Sequence, residues 1–293
     1  MATRERDAIS NTETTGHEWD GIKELNTPLP RWWLLTFYAC IVWALGYAIA
    51  YPAWPLISGA TPGLLGYSSR ADVAADIQNA KTAQGAFLEK INTMPLEEIR
   101  KDPELLQFAT AGGGAAYRIN CIQCHGSGAA GGKGYPNLND DDWIWGGSLD
   151  QIHTTLQHGA RYMADENTRQ SLMPAFGADG ILTPEQIDST AEYVLKIAGQ
   201  PHDETAATQG QQVFAENCAA CHGNDGEGNR EFGAPRLTDA IALYASDKAN
   251  LVAQITRPKQ GVMPAWSSRL DEATIKQLAI YVHSLGGGEA ASP

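Results

Sequence analysis

Residues 121–125 read Cys-Ile-Gln-Cys-His, and residues 218–222 read Cys-Ala-Ala-Cys-His. This pattern is typical of covalent haem c attachment, because each of two thiols three positions apart can form a thioether to one haem vinyl group, and the next histidine can bind the iron. A zinc site would place two Cys-x-x-Cys pairs within about 15–20 residues of each other, and a thioredoxin-like dithiol would need a βαβ pattern. Neither context is present. The sequence therefore predicts two covalently bound haem c groups, with thioether attachment at Cys121, Cys124, Cys218 and Cys221 and proximal iron ligands at His125 and His222.

The two motifs belong to an internal repeat, in which each copy continues to Met-Pro-Ala-aromatic and then to Tyr-Val. The Met lies 52 residues after the first cysteine in copy one (121 to 173) and 45 in copy two (218 to 263), so copy one contains an insertion. A thioether is a soft, neutral ligand that raises the potential of haem iron, and the following Pro stiffens the loop. We therefore predict Met173 as the sixth ligand in copy one and Met263 in copy two. The remaining alternatives are Met163, His153 and His158 in copy one and His283 in copy two.

Residues 32–51 carry no charged side chain. About 20 apolar residues span a bilayer as a helix, whereas a soluble core helix would show a polar face. Lys23 and Arg31 precede the run, and no further Lys or Arg follows until Arg70. The positive-inside rule therefore predicts a cytoplasmic N terminus and places everything after Pro52 outside.

The bulk composition narrows the possible partners. The chain has 293 residues and a net charge of −13, and no basic stripe is visible, which argues against nucleic acid. The negative charge falls mainly in residues 70–293, which would suit a basic redox protein as an encounter partner or would simply be a soluble acidic surface. Cys40 stands alone in the apolar run, and the cysteine spacing does not indicate a disulfide framework.

These features predict a linear order of segments. Residues 1–31 are polar with little apolar periodicity and are expected to be loosely ordered, and residues 70–92 are expected to be helical and to lie outside both repeats. The predicted segments are a cytoplasmic tail (1–31), a transmembrane helix (32–55), a connector with a helical arm (56–104), a first haem domain (105–199), a linker (200–207), a second haem domain (208–286) and a flexible tail (287–293).

A helix leading into Cys-x-x-Cys-His, a Gly-rich loop, a Met-bearing loop and a last helix resemble class I cytochrome c. The resemblance implies an all-α fold, with one N-terminal transmembrane helix plus two tandem class I cytochrome c domains. It also implies that the first and last helices of each repeat cross closely at a glycine. The expected contacts are Gly113 and Tyr117 with the helix of Tyr193, and Gly210 and Phe214 with the helix of Tyr281.

Residues 16–22 (Gly-His-Glu-Trp-Asp-Gly-Ile), 26–33 (Asn-Thr-Pro-Leu-Pro-Arg-Trp-Trp) and 168–177 resemble the dihaem subunit, called CcoP or FixP, of cbb3-type cytochrome c oxidases. The resemblance covers nearly the whole chain. It implies a single-pass subunit of the bacterial inner membrane, with periplasmic haem domains. Such a subunit takes electrons from a cytochrome c donor and passes them, through a monohaem cytochrome c subunit, to the haem–copper catalytic subunit, which reduces oxygen and pumps protons. It implies no oxygen chemistry on this chain and a tail that docks on partner subunits.

Three other functions share the haem motifs. The chain could be a free-standing membrane-anchored carrier or the cytochrome subunit of a periplasmic dehydrogenase. A dihaem peroxidase would need an open axial position, whereas both repeats offer a methionine.

Overall fold

The computed structural model describes residues 4–239, 242–244 and 247–290. The chain divides into two compact units, residues 1–82 and 83–293. The strands are β1 (Thr14–Trp19), β2 (Ile22–Leu25), β3 (Pro55–Leu56) and β4 (Gly59–Ala60). The helices are α1 (Arg31–Ala50), α2 (Ser69–Thr93), α3 (Leu96–Lys101), α4 (Pro103–Asn120), α5 (Ile122–His125), α6 (Leu149–His158), α7 (Pro184–Ile197), α8 (Glu204–Asn217), α9 (Ala219–His222), α10 (Lys248–Thr256) and α11 (Glu272–His283).

Helix α1 (Arg31–Ala50) covers most of the membrane helix predicted over 32–55 but ends at Ala50, and Pro55 lies in β3. Its 20 residues rise about 30 Å, which matches the hydrocarbon core of a bilayer. None of these residues is buried within the protein, and among the described residues α1 is the one helix long and apolar enough to cross a membrane. A helix that is apolar all round and uncovered needs lipid around it. The structure is therefore consistent with a membrane anchor.

The tail before α1 is more ordered than predicted. β1 and β2 pair antiparallel, with Trp19 opposite Ile22 across an Asp-Gly turn in which Asp20 has a φ of +49°. Asp-Gly is a strong hairpin signal because both central residues of a type I′ turn need positive φ. The expectation of a loosely ordered tail was wrong because this local turn preference outweighs the weak apolar periodicity. The hairpin leaves the side chain of Trp19 66% exposed.

The helical arm predicted over 70–92 is present as α2, and its C-terminal end belongs to the second compact unit. Ile91 is fully buried, and the ring of Phe87 stacks on Phe108 of α4 with centroids 4.9 Å apart. Lys276 of α11 donates to the carbonyls of Asn92 and Met94 at 2.9 Å. The end of α2 therefore packs onto α4 of copy one and α11 of copy two. The predicted boundary at 104/105 instead falls inside α4.

The first close helix crossing joins α4 to α11. A Cβ atom on Gly113 would lie 2.6 Å from Cβ of Tyr281 and would also collide with the carbonyl of Gln277, so only glycine permits this approach. The ring of Tyr117 packs on that of Tyr281 at 5.4 Å. The first helix of copy one therefore pairs with the last helix of copy two.

The second close crossing joins α7 to α8. A Cβ on Gly210 would collide with the backbone of Ser189 and lie 2.9 Å from the amide nitrogen of Thr190. The rings of Phe214 and Tyr193 pack with centroids 5.1 Å apart. The last helix of copy one therefore pairs with the first helix of copy two.

These crossings correct the expected contacts. Gly113 and Tyr117 were expected to pack on the helix of Tyr193, and Gly210 and Phe214 on the helix of Tyr281, but the partners are exchanged between the copies. The connection from α7 to α8 is only residues 198–203. So short a connection favours two antiparallel neighbours, whereas the long insertion in copy one separates α4 from α7.

The connection between α7 and α8 also differs from the predicted linker over 200–207. α8 begins at Glu204, and Asp203 caps it by accepting hydrogen bonds from the amides of Thr205 and Ala206. The amide of Asp203 in turn donates to the carboxylate of Glu192 at 2.8 Å. Half of the predicted linker is therefore helical and fixed onto α7.

Candidate haem sites

Each Cys-x-x-Cys-His motif forms one short helical turn directly after a longer helix. α4 ends where Cys121 begins the turn of α5, and α8 ends in the same way at Cys218 before α9. The terminal His125 and His222 are followed by glycines with φ near +80°, at which the chain turns away. The two copies therefore present their motifs with the same local geometry.

Both histidines are oriented by the same backbone contact. Nδ1 of His125 lies 3.0 Å from the carbonyl of Pro136, and Nδ1 of His222 lies 3.0 Å from the carbonyl of Pro235. This hydrogen bond makes Nδ1 the donor and leaves Nε2 free to bind a metal. Burial lowers the pKa of both imidazoles, an effect partly opposed by the carbonyl hydrogen bond. Each ring is thereby kept in the neutral form that an iron ligand requires.

The two thiols of each motif differ in exposure. Cys121 and Cys218 are buried, whereas Cys124 and Cys221 are exposed. Burial, and then the neighbouring cysteine, raise the pKa of Cys121 and of Cys218 to about 11. One attachment point of each motif therefore lies in the protein interior and the other lies at the surface.

The first motif opens onto an apolar cavity of about 430 Å³. Cys121 and His125 lie in its wall, and the methionine in the same wall is Met263 of copy two. Ala160 and Met263 exchange two backbone hydrogen bonds of 3.0 Å, which carry the second Met loop into this site. Most of the cavity wall is apolar or aromatic, and it includes Leu138, Trp143, Ile152, Leu156 and Val282.

Met173 lies on the side of the second motif. Met173 packs against a buried cluster that includes Phe176, and Ile255 of α10. Val213 of α8 and Leu251 of α10 pack against the same cluster, and Leu251 also packs against the cluster that contains Cys218. The carbonyl of Met173 accepts a hydrogen bond from the side chain of Gln260 at 3.0 Å. The structure thus brings His125 together with Met263 and gathers Met173 with the elements around His222, although the repeat predicted the opposite pairs.

The alternative axial ligands have other partners. His153 contacts Glu272 at 2.9 Å, His158 contacts Asp165, and His283 contacts the carbonyl of Glu289 at 2.8 Å. Met163 is 84% exposed. In the part of the chain that the structure describes, no cluster of three or more His, Cys, Asp and Glu residues could hold a metal ion. The residues present fit a haem: two thiols, an imidazole with a free Nε2 and a thioether, beside apolar walls.

Sequence reasoning missed three basic residues in the wall of the first cavity, which are Lys133, Arg161 and Lys259. Arg161 and Lys259 lie in the segments that cross between the copies, outside any repeated motif. A basic residue near a methionine loop gives no signal of its own, and only the exchange of helices brings Lys259 to the first motif.

Sequence comparison identifies the family to which these two motifs belong. The family described as "Cytochrome C oxidase, cbb3-type, subunit III" matches residues 108–194 and 205–282, and "N-terminal domain of cytochrome oxidase-cbb3, FixP" matches residues 11–58. The chain belongs to the subunit III family of cbb3-type cytochrome c oxidases. The FixP subunit of Sinorhizobium medicae is 56% identical over 283 residues, which cover 97% of each chain. The CcoP subunit of Cereibacter sphaeroides is 56% identical over 276 residues, covering 94% of this chain and 95% of that one.

Membership of the family confirms the predicted fold class, because a mostly helical chain with one N-terminal apolar helix carries the cytochrome c match twice. Haem c is the cofactor that this family implies.

Proposed function

We propose that this subunit carries two haem c groups and transfers electrons from a cytochrome c donor towards the haem–copper catalytic subunit of a cbb3-type oxidase. One observation carries the proposal: a member of this family has two motifs that each combine a thiol pair with an imidazole whose Nδ1 is held by a proline carbonyl. Bound haem c supplies one-electron chemistry.

We further propose that the axial ligands are exchanged between the copies. His125 and Met263 would hold the first iron, and His222 and Met173 the second. The shared cavity wall of His125 and Met263 supports the first pair, and the core cluster that Met173 shares with residues of α8 and α10 supports the second. Two filled axial positions leave no site for oxygen and favour electron transfer over a peroxidase.

The protein's contribution is to hold these ligands still. Both copies lie in one compact unit. The Ala160–Met263 hydrogen bonds hold the second Met loop to copy one, and the two glycine crossings hold helices of the two copies together. If the ligands and walls do not move when the charge of the site changes, the reorganisation energy of electron transfer is small. The neutral thioether favours the reduced iron and raises the potential, which suits a carrier that feeds an oxidase.

The membrane arrangement follows from charge. Lys23 and Arg31 before α1 favour a cytoplasmic N terminus, with both haem domains periplasmic. The partners would be the haem–copper subunit, a monohaem cytochrome c subunit, the cytochrome c donor and the lipid bilayer. The hairpin of β1 and β2, with Trp19 exposed, would dock on a partner subunit.

The ligand assignment is tested with one haem at a time. In a Cys121→Ala/Cys124→Ala background the second site alone carries haem, and its ferric near-infrared band reports the Met–iron bond. Met173→His should abolish this band, whereas Met263→His should leave it. The Cys218→Ala/Cys221→Ala background should give the reverse. The opposite pattern in both backgrounds would restore ligation within each repeat.

The functional assignment is tested in the membrane. Purification in mild detergent should recover the chain with a haem–copper subunit, and removing the first thiol pair should lower cytochrome c-driven oxygen uptake. Recovery without such a subunit would favour a free-standing carrier, and recovery with a dehydrogenase would favour that alternative.

A further inference from the structure

The first haem cavity carries positive charge in a strongly acidic protein. Lys133, Arg161 and Lys259 line it, and no Asp or Glu is among its lining residues, although the chain has a net charge of −13. Cations gathered on an otherwise apolar wall indicate that the bound group carries negative charge. The anionic groups of a haem are its two propionates.

Arg161 is the cation of the three that is half-buried. Its Nε donates to the carbonyl of Gly261 at 2.6 Å. The four N–H groups on its terminal nitrogens have no hydrogen-bond partner in the described part of the chain, and no carboxylate there forms an ion pair with it. Burial lowers the pKa of this guanidinium, and the nearby hydroxyl of Tyr244 raises it. A half-buried cation without a counter-charge is costly, so its position calls for an anionic ligand.

Arg169 provides a contrast within the same segment. It too is half-buried, but its guanidinium donates to Thr155 Oγ1 at 3.0 Å and to the carbonyl of Gln151 at 3.2 Å, and it lies 5.7 Å from the ring centre of Trp145. Its donors are used by the protein itself. Arg161 differs because it lines the cavity and the terminal nitrogens of its guanidinium have no such partners among the described residues.

The backbone holds Arg161 in place at a cost. Its φ is +55°, which is unfavourable for a residue with a side chain. The preceding residue, Ala160, bridges to both Met263 and Arg169 and so fixes the crossing of the two segments. Strain of this kind persists where the surroundings impose it and is concentrated at binding sites.

Tyr244 brings a second donor to the same place. It lines the cavity, and its hydroxyl lies 3.5 Å from where a Cβ on Gly261 would be, beside the carbonyl that Arg161 contacts. A planar guanidinium and a phenol hydroxyl together match the two oxygens of a carboxylate.

We propose that Arg161 and Tyr244 bind a propionate of the haem attached at Cys121 and Cys124. The inference rests on the proposed function. A positive charge in the wall of the cavity that contains His125 would disfavour the ferric state and raise the potential of a haem bound there. Tyr244 belongs to copy two, so the contact also joins the second copy to the first haem.

The test compares Arg161→Gln with Arg161→Lys in the full-length holoprotein. Arg269→Gln is the matched control, because Arg269 is an exposed arginine near α11 that stacks on Trp266 outside the cavity. In Arg161→Gln we expect one of the two midpoint potentials to fall while the other stays, with the near-infrared Met band retained. The resonance Raman bending mode of the propionate should shift. Arg161→Lys should lower the potential less, because it keeps the charge.

Three results would overturn the proposal. The first is a potential shift in Arg161→Gln no larger than that in Arg269→Gln. The second is loss of the Met band, which would make Arg161 a clamp on the Met263 loop. The third is a propionate mode that does not shift in either Arg161→Gln or Tyr244→Phe. If the Arg161→Gln protein does not accumulate, the propionate mode of Tyr244→Phe decides alone. Absence of covalent haem in the unmodified chain would instead refute the proposed function.

Discussion

Gly113→Ala should destabilise the first haem domain by forcing α4 away from α11. The new Cβ would lie 2.6 Å from Tyr281 Cβ and 2.7 Å from the carbonyl carbon of Gln277. Carbon atoms pack at about 3.5–4.0 Å, so the helices would have to separate by about 1 Å. Overpacking of this kind costs about 1–3 kcal/mol, and the backbone atoms of Gln277 cannot rotate away. The better helix propensity of Ala offsets about 0.5–1 kcal/mol.

The expected net loss for Gly113→Ala is therefore about 1 kcal/mol. For a unit of this size, 1 kcal/mol shifts the melting temperature by roughly 2–4 °C, so the melting temperature of the variant should be lower by about that much. The measurement is thermal unfolding of the holoprotein in mild detergent, followed by circular dichroism and by the near-infrared Met band.

Two other glycines give matched controls. Gly85→Ala lies in helix α2, where a Cβ would meet nothing within 4 Å, so it should be neutral or slightly stabilising. Gly112→Ala would meet the end of the Gln277 side chain, which can move, so its effect should fall between the two. If Gly113→Ala melts like Gly85→Ala, the crossing of α4 and α11 is not as the structure has it.

Three further predictions concern other parts of the chain. Trp19→Ala should weaken assembly by about 2 kcal/mol if the hairpin docks as an aromatic anchor, whereas Ile9→Ala, also in the exposed tail, should not; subunit content after purification decides, and equal retention of both variants argues against docking. Glu192 accepts hydrogen bonds from Lys248 and the amide of Asp203, and these lower its pKa. The stability that this carboxylate contributes should be fully present above its ordinary pKa of 4.5 and should be lost as the pH falls through the lowered pKa. Acid unfolding of Glu192→Gln should lack this component. A reporter active only outside the cytoplasm should work when fused to the C terminus and fail when fused before α1; the reverse would overturn the orientation.

The local chemistry of the sites could be predicted from sequence. The thiols and the histidine are recognisable because haem attachment fixes their order within one short motif. The methionines lie 52 and 45 residues after the first cysteine and are candidates only through the repeated Met-Pro-Ala-aromatic context. The membrane span was predictable for a similar reason, since twenty uncharged residues can satisfy the backbone in lipid as a helix. For the thiols, the histidine and the membrane span, the residues that carry the chemistry are neighbours in sequence.

The exchange of partners could not be predicted because the repeat is symmetrical in the features that decide helix packing. Gly113 and Gly210 are both small contact residues, and each could accept the helix of either Tyr193 or Tyr281. The repeat pattern is equally compatible with pairing of the helices within each copy and with pairing between the copies. The choice depends on the short connection after α7 and on the hydrogen bonds between Ala160 and Met263, which are tertiary contacts.

The exchange of helices and Met loops makes the first site depend on elements from both copies. The elements gathered around the second motif, from the Met173 loop through α7, α8 and α10, are continuous in sequence, whereas the first site needs α4 and α6 from copy one and the Met263 loop and α11 from copy two. The first site therefore closes only after the C-terminal segment has folded back across Ala160. Under the proposed ligand exchange, each copy contributes a wall or a ligand to the other copy's site, and the packed core of the unit fixes the relative position of the two sites. In the proposed dihaem carrier, that arrangement would replace a flexible linker with a shared interior.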